Sequence, residues 1–582
     1  MQFGAPRPHR ADEVTSPTPD STPLPGPRRG GTDRGARAGM QSSDDQPSAD
    51  PFAADRDAVT AWEHDSRQAR SDGRRLVRVP LRSDAECDVC VVGAGIFGLT
   101  AAYLLQHAGR RTIVLDDGPI AGGQSARTTA HLATAIDGRF SAIESAHGRD
   151  KARLVAESHA AAIATIEDVV REERIACDLR RVDGFLCAAS TDPDHLRALH
   201  DERDAAARAG LEVELLARPP VRGLGDGPCL RFAAQGHLQP LLYLAGLAEA
   251  FERAGGQIYT GTRAASLEGG SLARVLSTDG RTIACKAIVV ATGTPITDGV
   301  VVHARQAPYM TYVVSAPIDG HDVADVLLWD TAEPYHYVRL AGIDAGGTRR
   351  LIVGGEDHKT GHARDGAERF ARLERWARER FPEIGPFDRR WAGQVFEPAD
   401  LLAFIGRDPL GDENVFIGTG FSGNGYTYGT LAGLLVRDLV CGRDNPWRAV
   451  YDPGRFPADA RSVGRLVREN LDVAARYADW LRPGEVTSET AIAAGDGAIV
   501  RRGLDRIAVY RDVDGTLHRC HAACPHLGCS VAWNPAERTW DCPCHGSRFT
   551  ATGRLIVGPA NDDLRVLEAR RDGERNGEQD RV

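Results

Sequence analysis

One stretch of the chain, residues 88–117, constrains the fold more than any other. It reads DVCVVGAGIFGLTAAYLLQHAGRRTIVLDD, which is an apolar run, a glycine-rich turn, a helical pattern and a second apolar run. This order predicts a strand ending at Val92, a turn over Gly93–Gly98, a helix over Leu99–Ala108 and a strand over Thr112–Leu115. A unit of this kind is typical of a parallel sheet that binds a dinucleotide.

The three glycines of the turn have separate roles in such a site. Gly93 reverses the chain, Gly95 lets the backbone approach a pyrophosphate, and Gly98 packs the helix on the strand. The helix N-terminus adds free N–H groups and a partial positive charge. Asp116, about 20 residues further on, is suited to accept hydrogen bonds from a ribose. The alternative is that these glycines only shape the turn between strand and helix.

Length and charge exclude several classes of protein. With 582 residues the chain is too long for a single core. A formal net charge of −10 argues against nucleic acid as the main partner. We find no apolar run long enough for a transmembrane segment and no apolar leader near the N-terminus, so we expect a cytoplasmic protein. The first eighty residues are rich in proline and polar residues and are predicted to be disordered.

Three later segments also point to a bound cofactor. Residues 122–132, GGQSARTTAHL, combine two glycines with groups that can donate to a phosphate or a ring edge, although a polar loop is the alternative. Residues 286–293, KAIVVATG, predict a strand that ends in a glycine beside the cofactor. Residues 415–440 predict strand, glycine-rich turn and helix, whose N-terminus can stabilise negative charge on a flat ring. Two strand-turn-helix units for one ligand favour a long cofactor such as FAD.

The predicted cofactor contacts come from the four segments at residues 88–117, 122–132, 286–293 and 415–440. Each is a small residue, has a side chain that can form hydrogen bonds, or lies in a turn. They are Gly93, Gly95, Ile96, Phe97, Gly98, Asp116, Asp117, Gly123, Ser125, Arg127, Thr128, Thr129, Ala291, Thr292, Gly293, Gly420, Phe421, Ser422, Gly423, Asn424 and Gly425.

Two excursions interrupt the nucleotide-binding pattern. A helix predicted over Lys151–Arg171 opens the first, and the chain returns at about residue 241. The second runs from about residue 301 to residue 390. Within it, Pro334–Leu340 and Arg350–Glu356 are predicted as two strands joined by a turn.

Three residues of the first of these strands are the candidate catalytic residues. Alternation along a strand puts Tyr335, Tyr337 and Arg339 on one face. An arginine beside two tyrosines is suited to clamp a substrate carboxylate. The alternative is a solvent-facing arginine stacked on aromatic rings.

Residues from about 85 to 460 resemble the FAD-dependent oxidoreductases of the D-amino-acid oxidase and glycine oxidase superfamily. The matching pieces are VVGAGIFGLTAAYLL, VVATG, YVRL followed by LIVGG, FIGRDP, and TGFSGNGYTYGTLAGLLVRDLVCGR. The resemblance implies a two-lobed α/β domain of Rossmann type, with FAD extended across it and an inserted antiparallel substrate sheet. Members typically oxidise a C–N bond by hydride transfer to the flavin. In several of them an arginine in the strand matching YVRL binds the substrate carboxylate, which here would be Arg339.

Five of the twelve cysteines crowd between Cys520 and Cys544. Two pairs there, Cys524 with His526 and Cys542 with His545, form a C-x-H and a C-x-x-H separated by 15 residues. The pattern resembles the Rieske signature, in which two cysteines hold one iron of a [2Fe–2S] cluster and two histidines hold the other. A Cys₂His₂ zinc site is the competitor, but zinc fingers pair cysteine with cysteine and histidine with histidine.

The Rieske resemblance carries two further implications. Cys529 and Cys544 match the positions that form a disulfide between the cluster loops in Rieske proteins of respiratory and photosynthetic complexes. Ser547 matches the serine that donates a hydrogen bond to a cluster sulfide there. Short β segments after Ala491 predict a small all-β domain around this site.

The predicted plan of the chain follows from these boundaries. It comprises a disordered segment over 1–80, an FAD-dependent domain over 81–460 with a substrate lobe at about 150–240 and 300–395, a helical linker over 461–485, a Rieske domain over 486–572 and a flexible tail over 573–582.

Three functions fit this plan. The first is a dehydrogenase that oxidises an amine or amino-acid-like substrate and passes electrons through the cluster to an external acceptor. The second is a flavin and iron–sulfur reductase that carries electrons from NAD(P)H to a partner protein, and the third gives the Rieske domain a purely structural role. Once both glycine-rich turns are assigned to the flavin, no further GxGxxG remains for a nicotinamide nucleotide, which favours the first. A flexible junction near residues 482–490 is expected to let the cluster move between flavin and acceptor.

Overall fold

The computed structural model describes residues 60–62, 76–219, 227–297, 300–319, 324–342 and 348–567. The predicted disordered segment and flexible tail therefore lie outside the described residues, except for residues 60–62 and 76–80. In this exception Trp62 is completely buried, and its indole nitrogen donates to the main-chain oxygen of Thr128 at 2.6 Å. The prediction of disorder is wrong for Trp62, because one aromatic side chain anchors a segment that has no apolar periodicity.

The nucleotide-binding pattern folds into a six-stranded sheet of the described residues, parallel except at one edge strand. Its order is Phe404–Arg407, Val415–Thr419, Ala287–Val290, Val89–Val92, Thr112–Leu115 and Gln257–Tyr259. The four central strands are buried at every position, which explains why they read as unbroken apolar runs.

The two faces of this sheet are covered differently. Helices cover one face, namely Ile96–His107, Pro240–Arg253 and Gly425–Val440, and helix Arg149–Glu173 packs on the last two of them. A four-stranded sheet packs on the other, in the order Ala85–Glu86, Thr282–Ala284, Arg274–Ser277 and Ala264–Glu268. The first helix begins three residues before its predicted start, because Gly95 occupies the N-cap in an extended conformation.

A nine-stranded sheet forms the predicted substrate lobe. Eight strands follow in the order Arg389–Pro398, Gln306–Asp319, Thr348–Lys359, His336–Ala341, Leu327–Asp330, Arg180–Cys187, Cys229–His237 and His131–Leu132, and Val213–Leu216 pairs with Cys229–His237. The helices of this lobe are Phe140–His147, Pro193–Arg208 and Gly366–Arg380. The two strands predicted at residues 334–340 and 350–356 are antiparallel neighbours in this sheet.

A connecting helix, Ala460–Arg476, leads to a small all-β domain. One of its sheets contains Gly497–Arg502, Asp505–Arg511 and Leu517–His521, and the other contains Ala532–Asn534, Thr539–Asp541, Arg548–Thr550 and Leu555–Val557. Short helical turns complete the described elements at Gln124–Ala126, Val300–His303, Arg448–Tyr451, Tyr477–Leu481 and Glu489–Ala491. None of the helices in the described part of the chain has the length and apolar character needed to cross a bilayer.

The junction between connecting helix and β domain differs from the prediction. Arg501 donates to the main-chain oxygens of Leu481 and Arg482 at 2.9 and 2.8 Å. Glu489 forms ion pairs with Arg502 and Arg519 at 2.7 and 2.8 Å. These contacts tie residues 481–489 to the β domain, so the predicted flexible junction is wrong. Sequence composition gave no sign of it, because the partners lie further along the chain.

Candidate active site and iron-sulfur centre

The first glycine-rich turn has the tight packing that its sequence predicts. Gly93 has φ +109°, a value that favours glycine, and a Cβ atom on Gly98 would lie 1.9 Å from the main-chain oxygen of Gly93. A Cβ atom on Gly95 would meet only the side chain of Ser125, whose Oγ atom would be 2.9 Å away. Gly98 therefore holds helix against turn, whereas Gly95 leaves the backbone open toward a ligand.

Gly98→Ala is expected to abolish tight FAD binding, since the added methyl group pushes the helix away from the turn and overpacking of this kind costs about 1–3 kcal/mol or more. The FAD content of the purified protein measures the effect. Gly464→Ala is a matched control, because no atom lies within 4 Å of the added Cβ there. Equal FAD content in the two variants would contradict this role of Gly98.

Asp116 lies at the end of the second strand and supports the turn. One carboxylate oxygen accepts from the main-chain nitrogen of Ala94 at 2.6 Å, and the other accepts from that of Gly118 at 2.8 Å. Burial and the neighbouring Asp117 raise the pKa of this carboxyl to about 7. The side chain thus fixes the conformation of the loop and also borders the cavity where a ribose was predicted.

A cavity of about 670 Å³ runs from this turn to the substrate sheet. The structure places on its wall every predicted cofactor contact except Gly98 and Gly420. Gly98 is used in packing, and a Cβ atom on Gly420 would meet Pro398 at 2.6 Å. The other residues lie far apart in sequence, and the sheet brings them to one elongated space.

The cavity fits a long cofactor with a flat ring. Cβ atoms on Gly293 and Gly425 would meet no atom within 4 Å, so both turns leave room for close approach of a ligand. Helix Gly425–Val440 begins at the cavity with Asn424 as its N-cap. Its free N–H groups are available to negative charge on a bound ring.

The substrate sheet closes the other end of the cavity with polar side chains. Tyr335, Tyr337, Thr311 and Trp329 all lie on the wall. The hydroxyls of Thr311 and Tyr337 are 2.9 Å apart and hydrogen-bonded. Burial raises the pKa of both tyrosines above its usual value, so their hydroxyls stay protonated at neutral pH.

Arg339 lies elsewhere, and its predicted role as a carboxylate clamp is wrong. Its guanidinium donates to the main-chain oxygens of Thr129, Ala130 and Leu238 at 2.8–3.1 Å. It also lies 5.2 Å from the ring centre of Trp62 and is 1% exposed. The residue is outside the cavity wall because it lies further along the strand than the tyrosines. The alternative of a stacked arginine is correct for the stacking, although the side chain is buried.

Other charged and polar residues line the substrate end and were not predicted. Arg139, Asp137 and Glu333 lie on the cavity wall. His131 also lies there, with its Nε2 atom buried and without a hydrogen-bond partner. Burial and Arg339 lower the pKa of His131 to about 3, so the ring is neutral. Arg139, Asp137 and Glu333 lie outside the motifs, and only the charged sequence IDGR could have drawn attention to Asp137 and Arg139. His131 lies within the segment at residues 122–132, but nothing in that segment singled it out.

The four predicted cluster ligands converge in the β domain. The thiols of Cys524 and Cys542 are hydrogen-bonded to each other, and the rings of His526 and His545 have centres 5.0 Å apart. The Nδ1 atom of His545 is buried and has no partner. Burial lowers the pKa of both histidines to about 4, which keeps the imidazoles neutral. Two facing sulfurs and a free buried nitrogen fit an iron–sulfur cluster at this position.

The surroundings of this group also fit a cluster. Cys529 and Cys544 form a disulfide, as the resemblance implied, and their sulfurs lie within 4.8 Å of that of Cys542. Ser547 is fully buried, hydrogen-bonds to Cys524 and accepts from the main-chain nitrogen of Ala560 at 3.0 Å. The disulfide joins the two loops that carry the four candidate ligands.

The β domain is packed firmly on the nucleotide and substrate lobes. Glu537 pairs with Arg127 at 2.7 Å, and its other carboxylate oxygen accepts from the main-chain nitrogen of Ala392. The side chain of Gln394 donates to the main-chain oxygen of Gly546 at 2.8 Å. Glu537 is almost inaccessible to solvent, so the pair with Arg127 is a buried charge interaction between domains.

Residues of the β domain also form part of the cavity wall. The strand Leu555–Val557 and the residues Gly558, Ala560 and Asn561 line the cavity. The Asn561 side chain donates to the main-chain oxygen of Ile296 at 3.1 Å. No motif predicted that the cluster domain would help to enclose the cofactor of the other domain.

Comparison with known families identifies both parts of the chain. The sequence model of the FAD dependent oxidoreductase family matches residues 88–439, more than half of the chain. The chain belongs to the FAD-dependent oxidoreductase family. A Rieske [2Fe-2S] domain model matches residues 483–568, which decides against the zinc alternative. This FAD-dependent oxidoreductase thus uses FAD and a [2Fe–2S] cluster of the Rieske type.

Two curated relatives of this FAD-dependent oxidoreductase are matched over most of their own length. The Rieske 2Fe-2S iron-sulfur protein YhfW of Bacillus subtilis (strain 168) is 30% identical over 84% of this chain and 94% of the relative. The gamma-glutamylputrescine oxidoreductase of Escherichia coli (strain K12) is 27% identical over 65% of this chain and 89% of the relative.

The solved structure of glycine oxidase from Geobacillus kaustophilus has the same fold as the first domain. It superposes with a TM-score of 0.54 at 20% identity, covering 64% of this chain and all of that chain. At this identity the likeness concerns the fold alone.

Proposed function

We propose that this enzyme is a dehydrogenase that oxidises a C–N bond of an amine or amino-acid-like substrate and passes the electrons through its Rieske cluster to an external acceptor. The flavin supplies a two-electron acceptor for hydride, and the cluster supplies a one-electron acceptor. The similarity to a gamma-glutamylputrescine oxidoreductase supports the substrate class. We also propose Cys524, His526, Cys542 and His545 as the cluster ligands.

The observation that carries this proposal is a short path from the cavity wall to a cluster ligand. The ring of His303 lies 5.3 Å from that of His526, and its Nδ1 atom is hydrogen-bonded to the hydroxyl of Thr294 at 3.2 Å. The main-chain oxygen of Thr294 accepts from the hydroxyl of Thr292, a residue of the cavity wall. Thr294 and His303 are 0% and 3% exposed, so the middle of this path excludes water. A direct connection of this kind suits electron transfer between the two sites.

Anaerobic stopped-flow mixing with a panel of amines tests the proposal. A substrate should bleach the flavin first and the cluster second. His545→Ala should keep the first phase and lose the second, whereas His518→Ala, a histidine of the same domain outside the ligand pattern, should keep both. A cluster that stays oxidised beside fully reduced flavin would contradict the proposed route. Reduction of the flavin by NAD(P)H, but by no amine, would favour the reductase alternative.

A further inference from the structure

The strand pairing at the substrate end of the cavity contains a β-bulge. Tyr312 lies opposite Gly355 and Met310 lies opposite His358, so Thr311 faces two residues, Glu356 and Asp357. Glu356 has φ +58°, which is rare for a residue with a side chain. β-Bulges are common next to active sites, where they change the direction of side chains, and strained backbone conformations cluster at functional sites. Here the bulge directs the two acidic side chains to different surroundings.

The two acids of the bulge have opposite environments. Glu356 points to the helix Gly366–Arg380, where it pairs with Arg372 at 2.7 Å. Both carboxylate oxygens of Asp357 are buried, and neither has a hydrogen-bond partner of good geometry. The nearest groups that can donate to Asp357 are the hydroxyls of Thr311 and Tyr335, and both line the cavity. An unpartnered buried carboxylate thus lies directly behind two hydroxyls of the cavity wall.

The charges around Asp357 are mostly negative. The titratable groups that face it from the neighbouring elements are Asp137, Tyr335, Tyr337, Arg369 and Glu397. Arg369 is turned away, because it donates to main-chain oxygens of the bulge and pairs with Asp365. Burial and the charge of Asp137 raise the pKa of Asp357 to about 7, and burial, Asp357 and Asp137 raise that of Glu397 to about 8. A raised pKa means that the charged form of a carboxyl is destabilised, and a cation that binds beside it removes part of that destabilisation.

We propose that the cavity binds its substrate as a cationic amine, with the ammonium group at the hydroxyls of Thr311 and Tyr335 and with Asp357 behind them as countercharge and proton acceptor. This inference rests on the proposed C–N oxidation and adds its substrate class. Arg139 on the same wall lies near the opposite charges of Glu202 and Asp137. The ammonium group is therefore the part of the substrate that the unpaired charge of the site recognises.

The proton transfer balances without any further reactant. The ammonium R–CH₂–NH₃⁺ gives one proton, by way of the Thr311 or Tyr335 hydroxyl, to the carboxylate of Asp357. The products are the neutral amine R–CH₂–NH₂ and the carboxylic acid form of Asp357. Bound FAD would be the two-electron oxidant that takes the α-hydride of this neutral amine, which leaves the iminium R–CH=NH₂⁺. Asp357 acts through the hydroxyls and is a positioning residue in this scheme.

Binding of small probes to the FAD-loaded enzyme tests the charge preference without turnover. tert-Butylamine has no α-hydrogen and cannot be oxidised, and tert-butanol and pivalate have similar shape but are neutral and anionic. Titration followed by the visible absorption of bound FAD should give the tightest binding for the ammonium. Asp357→Asn should weaken ammonium binding about tenfold or more and leave tert-butanol unchanged, since a buried charge pair is lost.

Glu356→Gln is the matched control, because it removes the adjacent carboxylate on the helix side of the bulge and should leave probe binding unchanged. Thr311→Val is the second variant and removes one of the two hydroxyls at the proposed ammonium position. It should also weaken ammonium binding, so the test stays decisive if Asp357→Asn does not bind FAD. Tighter binding of pivalate than of tert-butylamine, or no cation preference at all, overturns the proposal. Both results are independent of electron transfer to the cluster, so they are distinguishable from a failure of the proposed function.

The pH dependence of flavin reduction gives an independent readout. Asp357 can accept a proton only when it is ionised. The second-order rate constant for flavin reduction by an oxidisable amine, which reports groups of the free enzyme, should therefore rise with pH through about 7. Asp357→Asn should lose this rise, whereas Glu356→Gln should retain it. An unchanged pH profile in Asp357→Asn assigns the carboxyl to structure and overturns its role as proton acceptor.

Discussion

Cys542→Ser is expected to abolish the [2Fe–2S] cluster while FAD remains bound. Cys542 is 2% exposed and faces Cys524 in the proposed ligand group, and a serine hydroxyl does not replace a thiolate as an iron ligand. The glycine turns that border the FAD cavity belong to the other domain. Iron and labile-sulfide analysis should therefore fall to background, and the flavin absorption should persist.

Cys520→Ser is the matched control for this variant. Cys520 is equally buried in the same domain, but its thiol donates to the main-chain oxygen of Thr552 and lies outside the ligand pattern. We expect this variant to keep a full cluster. Retention of iron and sulfide by Cys542→Ser, or a native protein that contains zinc and no iron, would refute the ligand assignment.

Glu537→Ala is expected to uncouple the two domains without removing either cofactor. The substitution leaves Arg127 without its buried partner and removes the acceptor of the Ala392 N–H group. Breaking a buried pair in this way costs about 3–5 kcal/mol, and each 1.4 kcal/mol is a factor of ten in the docking equilibrium. Electron transfer from flavin to cluster should slow by about a hundredfold or more. Single-turnover stopped-flow measures this step after a normal flavin reduction phase.

Arg364→Ala provides the comparison with an exposed interdomain pair. Arg364 pairs with Glu485 at 3.0 Å, but both side chains are well exposed, and such pairs contribute about 0–1 kcal/mol. Its effect on cluster reduction should stay below about tenfold. Equal effects of the two substitutions would mean that burial of the Arg127 and Glu537 pair is not what holds the domains together.

The parts of the fold that sequence predicts well are those determined by neighbours in the chain. The apolar runs at Val89–Val92 and Val415–Thr419 became central strands of the nucleotide sheet, and both glycine-rich turns lead into helices at the cavity. Local spacing determines these elements, because strand burial and turn geometry involve residues only a few positions apart.

The substrate end was predicted less well because its geometry depends on residues far apart in sequence. Alternation put Arg339 on the same strand face as the two tyrosines, but it could not show how far along that face the cavity extends. The ring of Trp62, which stacks on Arg339, comes from a segment without any pattern. Asp357 reaches its position through a bulge that exists only when its strand pairs with that of Thr311. No periodicity within either strand could indicate this pairing.

The cavity wall that residues 555–561 contribute has a consequence for biosynthesis. These residues are the last wall segment of the described part of the chain, and they leave the ribosome after the glycine turns at residues 93–98 and 420–425. A nascent polypeptide translated as far as the connecting helix already has those turns, but its cavity is open on one side. Closure requires the β domain to fold and dock. The folding and docking of the β domain is thereby coupled to the enclosure of the flavin.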